Sequence, residues 1–126
     1  MSESSQLKFG PASPYLVVAA GRAQIAFLET AFDAKIVHGP VETPDDRVGH
    51  TELMIGDSKI MLGEPPDGNH FPSMVFIAVS DCDAAFQRML DAGAETVMPP
   101  TDMGDCRQGG AKDSNGNQWW VGTVAK

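Results

Sequence analysis

The stretch Pro14-Tyr15-Leu16-Val17-Val18 decides the fold, because it begins an order of elements that the chain repeats. Its apolar and β-branched residues predict a strand. The segment from about Arg22 to Phe32 has apolar residues at helical spacing and predicts an amphipathic helix. Two apolar runs on either side of Gly56-Asp57 predict a β-hairpin, and a further strand is predicted near Lys35-Ile36-Val37-His38. The first half is therefore expected to be a strand, a helix and two or three strands.

The same order of elements follows again after a segment rich in turn-forming residues. That segment, Glu64-Pro65-Pro66-Asp67-Gly68-Asn69, predicts a linker. After it, Met74 to Val79 is predicted to form a strand, and residues from about Cys82 to Ala92 a helix that ends at Gly93. Short strands are expected in the remaining apolar runs, the last of them from Gln118 to Val124.

Matching landmarks in the two halves lie at nearly constant separations. Val79 follows Val18 by 61 residues, Ala85-Phe86 follows Ala26-Phe27 by 59, and Gly116 follows Gly56 by 60. We interpret this order and spacing as an internal duplication of a βαβββ module, with chance agreement among common apolar patterns as the alternative. A module of this size cannot bury one face of its own sheet, so two are expected to pack together.

The predicted architecture is an α+β fold in which two tandem βαβββ modules form a curved mixed sheet around a cavity, with the helices on the outer face. Residues 1–126 are assigned to a single domain. Module one is expected at about 12–64, the linker at about 65–71 and module two at about 72–124. The cavity is the predicted ligand site.

Composition and charge exclude several classes of protein. The 126 residues are 42% hydrophobic and 21% charged, with a net charge of −8, which disfavours binding to nucleic acid. No apolar run approaches the roughly 18 residues of a membrane span, and the polar amino terminus does not resemble a signal peptide. Cys82 and Cys106 lack the spacing of a redox or metal motif. We therefore expect a cytoplasmic protein with no membrane or nucleic-acid partner.

A set of short motifs in a fixed order carries a family resemblance. The motifs are Pro14-Tyr15-Leu16-Val17-Val18, Ala26-Phe27-Leu28-Glu29-Thr30-Ala31-Phe32, Gly49-His50-Thr51-Glu52-Leu53, Ile55-Gly56-Asp57-Ser58, Val79-Ser80-Asp81, Asp91-Ala92-Gly93-Ala94, Met98-Pro99-Pro100 and Asp113-Ser114-Asn115-Gly116-Asn117. Together they resemble the glyoxalase, bleomycin-resistance and extradiol-dioxygenase group, the vicinal oxygen chelate superfamily, and within it the small single-domain glyoxalase-like bacterial branch. The resemblance covers roughly Ala12 to Val124 and implies the duplicated fold and a homodimer.

The resemblance also implies where a metal would be held in the metal-using members. Carried onto this chain, the four ligand places are Ser13, Ile60, Met74 and Trp120. None of these side chains offers a carboxylate or an imidazole. A register error of one residue would bring in Pro14, Met61 or Val121, which offer neither. We therefore expect no metal and no other cofactor.

Large apolar side chains stand where the metal would be. Tyr15 and Phe76 hold matched places on the first strands of the two modules, and with Trp120 they predict an aromatic pocket. The predicted ligand-binding residues are Tyr15, Ile60, Met74, Phe76, Trp120 and Arg107, the last from a glycine-rich loop where it would pair an anionic group. The leading hypothesis is a metal-independent protein that holds an aromatic or amphipathic organic compound. The alternative for the aromatic residues is an ordinary core.

Three polar residues are the catalytic candidates of an alternative function, a glyoxalase-like lyase or isomerase with a non-standard site. His50 and Glu52 lie two apart on a predicted strand and so share a face, which would place a proton acceptor beside an orienting carboxylate. The hairpin pairs Leu53 with Ile60, which predicts that His50 and Glu52 face away from the cavity. Glu64 is predicted to lie near the cavity mouth. A third possibility is an interaction subunit with a filled cavity.

Overall fold

The computed structural model describes residues 12–124, and the polar amino-terminal segment lies outside the described residues. Within that range the chain forms two helices and eight strands. In chain order they are β1 (Tyr15–Val17), α1 (Gly21–Phe32), β2 (Lys35–Glu42), β3 (Val48–Ile55), β4 (Ser58–Gly63), β5 (Met74–Ala78), α2 (Cys82–Asp91), β6 (Glu95–Asp102), β7 (Cys106–Lys112) and β8 (Gln118–Val124). This order is a βαβββ unit followed by a second one, which confirms the predicted α+β fold of two tandem modules.

The strands divide into two four-stranded sheets, one for each module. Their orders are β1-β4-β3-β2 and β5-β8-β7-β6. In each sheet the first strand pairs parallel with the last, and the other neighbours pair antiparallel. Equivalent positions pair in both sheets, since Tyr15 lies beside Met61 and Phe76 lies beside Trp120. Met61, rather than Ile60, is therefore the counterpart of Trp120.

Both helices begin at side-chain caps. The carboxylate of Asp81 accepts a hydrogen bond from the backbone N–H of Ala84 at 3.1 Å, which satisfies a free donor at the start of α2. At the start of α1 the carboxylate of Glu64 accepts from the N–H of Gly21 at 2.8 Å. Gly21 must be a glycine, because a Cβ there would lie 2.8 Å from Cβ of Val48. None of the helices among residues 12–124 is both long and apolar enough to cross a bilayer.

The hydrophobic core lies between the helices and one side of each sheet. Leu16, Leu53 and Leu62 contribute from the first sheet, and Trp119 and Val121 from the second. The ring of Trp119 packs on Phe27 of α1 with 6.0 Å between centroids, so the core is shared by the two modules. Within residues 12–124, the other side of each sheet is covered by neither helix, and we call these sides the first and second open faces.

A buried polar cluster also joins the modules, at the turn between β7 and β8. The Oδ2 atom of Asp113 accepts hydrogen bonds from Nε2 of Gln24 on α1 and from Nε1 of Trp119, each at 2.8 Å. In the same turn, Oδ1 of Asn115 accepts from the N–H of Ala20 at 2.9 Å, just before α1 begins. A turn of module two therefore holds the start of the helix of module one. This buried cluster therefore helps to hold the two modules together.

Candidate functional site

The first open face carries four polar side chains in continuous contact. The hydroxyl of Tyr15 lies 3.1 Å from Nδ1 of His50, and Nε2 of His50 lies 2.9 Å from Oε2 of Glu52. The ammonium of Lys59 donates to Oε1 of Glu52 at 2.8 Å. We call these four residues the polar chain. It crosses three strands, β1, β3 and β4, and ends at a lysine whose side chain is only 5% exposed.

The electrostatics of the polar chain determine where its protons lie. Hydrogen bonds from His50 and Lys59 hold the pKa of the Glu52 carboxyl below its ordinary value, so Glu52 is a carboxylate at neutral pH. Beside a carboxylate, a neutral His50 places its proton on Nε2, which leaves Nδ1 as an acceptor. Burial raises the pKa of Tyr15, so its hydroxyl keeps its proton and donates it to Nδ1.

Glycine at position 63 allows Tyr15 to reach His50 across the intervening strand. A Cβ at Gly63 would lie 2.7 Å from the Tyr15 hydroxyl and 2.5 Å from the carbonyl oxygen of Gly49. Because Gly63 has no side chain, the phenol of Tyr15 can pass over β4. It stacks against the imidazole of His50, with 5.6 Å between the ring centroids. A second imidazole, that of His38 on β2, lies 6.0 Å from His50 on the far side.

The second open face presents aromatic and sulfur-containing side chains. Met74 is 67% exposed and Phe76 is 49% exposed, although both belong to a regular strand. The indole of Trp120 lies against Gly110 of β7, where a Cβ would approach the ring to 2.5 Å. Its Nε1 donates to Oε1 of Gln118 at 3.0 Å, so the polar edge is satisfied and the ring surface is left for contact.

The structure places His50 and Glu52 differently from the sequence prediction. Leu53 does pair with Ile60, but that side of the sheet faces the helices, and Ile60 is 3% exposed in the core. The expectation that Ile60 faces the same side as Trp120 is therefore wrong. His50 and Glu52 instead share the open face with Tyr15, a position that the sequence argument had assigned away from the ligand.

Two other candidates are occupied by contacts within the protein. The Glu64 carboxylate caps α1. The backbone carbonyl oxygen of Glu64 accepts a hydrogen bond from the guanidinium of Arg47 at 3.0 Å. Arg107 lies on strand β7 and not in the expected loop. Its guanidinium donates to Asp83 at 2.9 Å and to Asp102 at 3.2 Å, and both contacts raise its pKa. Arg107 would have to leave two carboxylates to pair an anionic ligand, which weakens its expected role. Lys59 is the member of the site that sequence reasoning missed.

A groove of about 810 Å³ lies between the modules, beside the second open face. Its walls come from the β3–β4 hairpin, from β5 and from the ends of both helices. Phe76 and Ile60 border the groove and belong to the predicted ligand residues, while Lys59 borders it from the polar chain. The groove is large enough for a small organic molecule.

The residues at the family's metal places do not suit a divalent cation. With the corrected register, these places hold Ser13, Met61, Met74 and Trp120. A hydroxyl, two thioethers and an indole supply neither the imidazole nor the carboxylate ligands that such ions prefer. In the described part of the chain, no three His, Cys, Asp or Glu side chains are grouped to hold a metal ion.

Relatives of known sequence support a family assignment. The family model described as the Glyoxalase/Bleomycin resistance protein/Dioxygenase superfamily matches residues 12–121. An uncharacterized protein of Mycobacterium bovis is 35% identical over 124 residues, covering 87% of this chain and 80% of that protein. An uncharacterized protein of Mycobacterium tuberculosis H37Rv is also 35% identical, with 87% and 72% covered.

Solved structures share the fold at lower sequence identity. TioX from Micromonospora sp. ML1 superposes with a TM-score of 0.76 at 23% identity, covering 91% of this chain and 98% of that one. The fosfomycin resistance protein FosX from Listeria monocytogenes gives a TM-score of 0.67 at 16% identity, with 93% and 92% covered. At these identities the likeness establishes the fold alone. Together with the family match, it leads to one conclusion: the chain belongs to the glyoxalase/bleomycin resistance protein/dioxygenase superfamily.

Proposed function

We propose that this protein binds a small aromatic or amphipathic organic molecule without a metal, against the aromatic side chains of its open faces. The observation that carries the proposal is the exposure of large apolar side chains on regular strands. Met74, Phe76 and Tyr15 are 67%, 49% and 42% exposed. Met74 and Phe76 lie two residues apart on one strand and so share a face, and neighbouring exposed apolar side chains of this kind mark a ligand or protein contact. Rings held flat against glycine are suited to stacking on a flat ligand.

The proposal includes a homodimer, because neither open face is enclosed within residues 12–124. A ligand bound there by one chain alone would remain in contact with water on one side. A second copy that covers the faces would remove that water and strengthen each apolar contact. The small-molecule site is therefore proposed to be complete only in a homodimer. We expect this dimer in the cytoplasm, with no nucleic-acid or membrane partner.

Tryptophan fluorescence tests the proposal directly. The probe is 4-nitroanisole, a flat, uncharged nitroaromatic compound that quenches a neighbouring indole. We expect saturable quenching that is lost in Trp120→Leu, because Trp120 lies on an open face while Trp119 is fully buried. A blue-shifted emission maximum from the buried Trp119 in this variant reports that the protein is folded. Quenching that is linear in probe concentration, or that is unchanged in Trp120→Leu, would count against binding at the open faces and favour an interaction subunit.

A further inference from the structure

The polar chain of the first open face has a feature that ligand binding alone does not require. A hydroxyl, an imidazole and a carboxylate follow one another at 3.1 and 2.9 Å, and a nearly buried ammonium closes the series. In hydrolases the same order of groups moves a proton from a hydroxyl to an imidazole that a carboxylate orients. Here the hydroxyl is a phenol, and it lies at the exposed end of the series.

We propose that Tyr15, His50, Glu52 and Lys59 form a proton relay that accepts the proton of an acidic hydroxyl group, a phenol or an enol, on the bound molecule. The inference rests on the proposed function, and it names the chemical class of the ligand. Tyr15 is the group that touches the ligand. His50 stores the proton, while Glu52 and Lys59 act through His50 and are positioning residues.

The direction of the hydrogen bonds favours a ligand that donates a hydrogen bond to the oxygen of Tyr15. The proton of the Tyr15 hydroxyl is directed to Nδ1 of His50, so the oxygen of Tyr15 offers its lone pairs to the ligand. A carboxylate ligand has no proton to give and would meet those lone pairs unfavourably. The protein's net charge of −8 also opposes a ligand that arrives as an anion.

The acidity of imidazolium further restricts the class of ligand. Imidazole is a weak base, so it accepts a proton only from a hydroxyl group of comparable acidity to imidazolium. Activated phenols and enols fall in that range, whereas an aliphatic alcohol is far too weak an acid. The ligand class is therefore an acidic phenol or enol rather than a sugar or a simple alcohol.

The proton transfers balance without any redox change. The ligand O–H bond breaks and its proton joins the oxygen of Tyr15, while the original proton of Tyr15 moves to Nδ1 of His50. The products are a ligand oxyanion, hydrogen-bonded by the re-formed Tyr15 hydroxyl, and an imidazolium ion between Tyr15 and Glu52. The new negative and positive charges lie on adjacent groups and attract each other. Glu52 holds the imidazolium, and Lys59 keeps Glu52 ionised.

Every strand of the first sheet contributes a titratable group near His50. Tyr15 comes from β1, Glu52 from β3 and Lys59 from β4, whereas β2 contributes His38. The imidazole of His38 lies 6.0 Å from that of His50 and has no hydrogen bond to the polar chain. His38 is therefore a matched control, because it is the same chemical group beside the relay but outside it.

The experiment compares 4-nitrophenol with 4-nitroanisole, which has the same ring but no proton to lose. At a pH below the pKa of free 4-nitrophenol, binding to the wild type should produce the visible absorption band of the phenolate in a saturable way. The band should be lost in His50→Gln and in Tyr15→Phe, and retained in His38→Gln. Circular dichroism establishes that each variant is folded, and fluorescence quenching by 4-nitroanisole reports binding independently of proton transfer.

Each outcome decides the matter. A phenolate band that depends on Tyr15 and His50 but not on His38 supports the relay. If both probes quench fluorescence but bound 4-nitrophenol keeps the spectrum of the neutral phenol, the relay is wrong and the binding function stands. A phenolate band that persists in His50→Gln removes His50 as the acceptor and overturns the inference. Failure of both probes to bind overturns the ligand class and the proposed function together.

Discussion

The ring of Phe76 lies directly over Gly122, where a Cβ atom would come within 2.9 Å of two ring carbons. The same relationship occurs in the first module, where the phenol of Tyr15 passes over Gly63. In both sheets the glycine follows, by two residues, the position that pairs with the aromatic residue. The duplicated modules thus each place an aromatic side chain over a glycine of their last strand. They differ in that one of the two rings carries a hydroxyl and reaches a histidine.

Replacing Gly122 should weaken ligand binding without unfolding the protein. In Gly122→Ala the new methyl group would displace the ring of Phe76, and loss of one stacking contact costs roughly 0.5–1.5 kcal/mol, or about two- to tenfold in affinity. Fluorescence titration with 4-nitroanisole measures this. Gly109→Ala is the control, since its Cβ would meet Phe86 on the core side of the same sheet. It should lower the melting temperature and leave affinity unchanged; the opposite pattern would mean that the ligand does not contact Phe76.

The buried carboxylate of Asp113 should be among the groups most important for stability. It accepts hydrogen bonds from Gln24, Trp119 and two backbone N–H groups of its own turn. Asp113→Asn would place an N–H₂ group against these donors, and we expect a loss of about 2–4 kcal/mol in the free energy of unfolding. Urea denaturation followed by circular dichroism measures it. In Asp91→Asn, at an exposed position, the change should stay within about 0.5 kcal/mol. Equal effects would contradict a clamp between the modules.

The fold followed from the sequence because its signals were local and occurred twice. Strand, helix and turn patterns needed only neighbouring residues, and the separation of Val18 from Val79 was within two residues of that of the other landmarks. Which side chains lie on the open faces depends on how each strand alternates between its two sides. The position of a glycine in the preceding turn does not determine that alternation. Gly56 lies in a two-residue turn, whereas Gly116 lies in a turn of five residues, 113–117. The residue four positions after the turn glycine is therefore Ile60 on the core side in one module and Trp120 on the open face in the other.

Long-range contacts explain the rest of what sequence reasoning missed. Glu64 looked like a carboxylate at a cavity mouth, but it caps a helix that begins 43 residues earlier. Lys59 was not predicted as a site residue, although its partner Glu52 lies on the neighbouring strand of the same hairpin. A lysine between a serine and an isoleucine, three positions after the glycine of a tight turn, could have suggested a cross-strand ion pair. No local pattern shows that Tyr15 reaches His50, because that contact depends on the bare backbone at Gly63.

Removing the Lys59 ammonium should cost far more than removing an exposed one. Lys59→Met leaves the carboxylate of Glu52 without its cationic partner at a site where the lysine side chain is 5% exposed. We expect a loss of roughly 1–3 kcal/mol in stability, measured by urea denaturation. The control is Lys35→Met, whose ion pair with Asp33 is largely exposed and should contribute at most about 1 kcal/mol. A Lys59 variant as stable as the Lys35 variant would show that Glu52 needs no counter-charge.

The homodimer should depend on the second open face. Met74→Asp places a charge where the wild type presents a thioether that is 67% exposed, so the folded monomer should be little affected. If this face is buried in the dimer, the charge would be desolvated there, and sedimentation velocity should show a shift from dimer to monomer. Ala23→Asp adds the same charge to the exposed side of α1 and should leave the dimer intact. A monomeric wild type that still binds 4-nitroanisole would show that one chain suffices.

Acid should destabilise the wild type more steeply than a variant that lacks the Glu52 carboxylate. The pKa of Glu52 is lowered in the folded protein, first by the hydrogen bond from His50 and then by that from Lys59, relative to an ordinary value of 4.5. The carboxylate therefore contributes its full stability above pH 4.5 and loses that contribution as the pH falls through the folded pKa. Glu52→Gln should be less stable than the wild type at pH 7, and the difference should shrink below pH 4.5. Thermal denaturation across this range measures the effect, with Glu29→Gln on the exposed side of α1 expected to follow the wild type. A constant difference between Glu52→Gln and the wild type at all pH values would mean that the carboxylate gains nothing from His50 and Lys59.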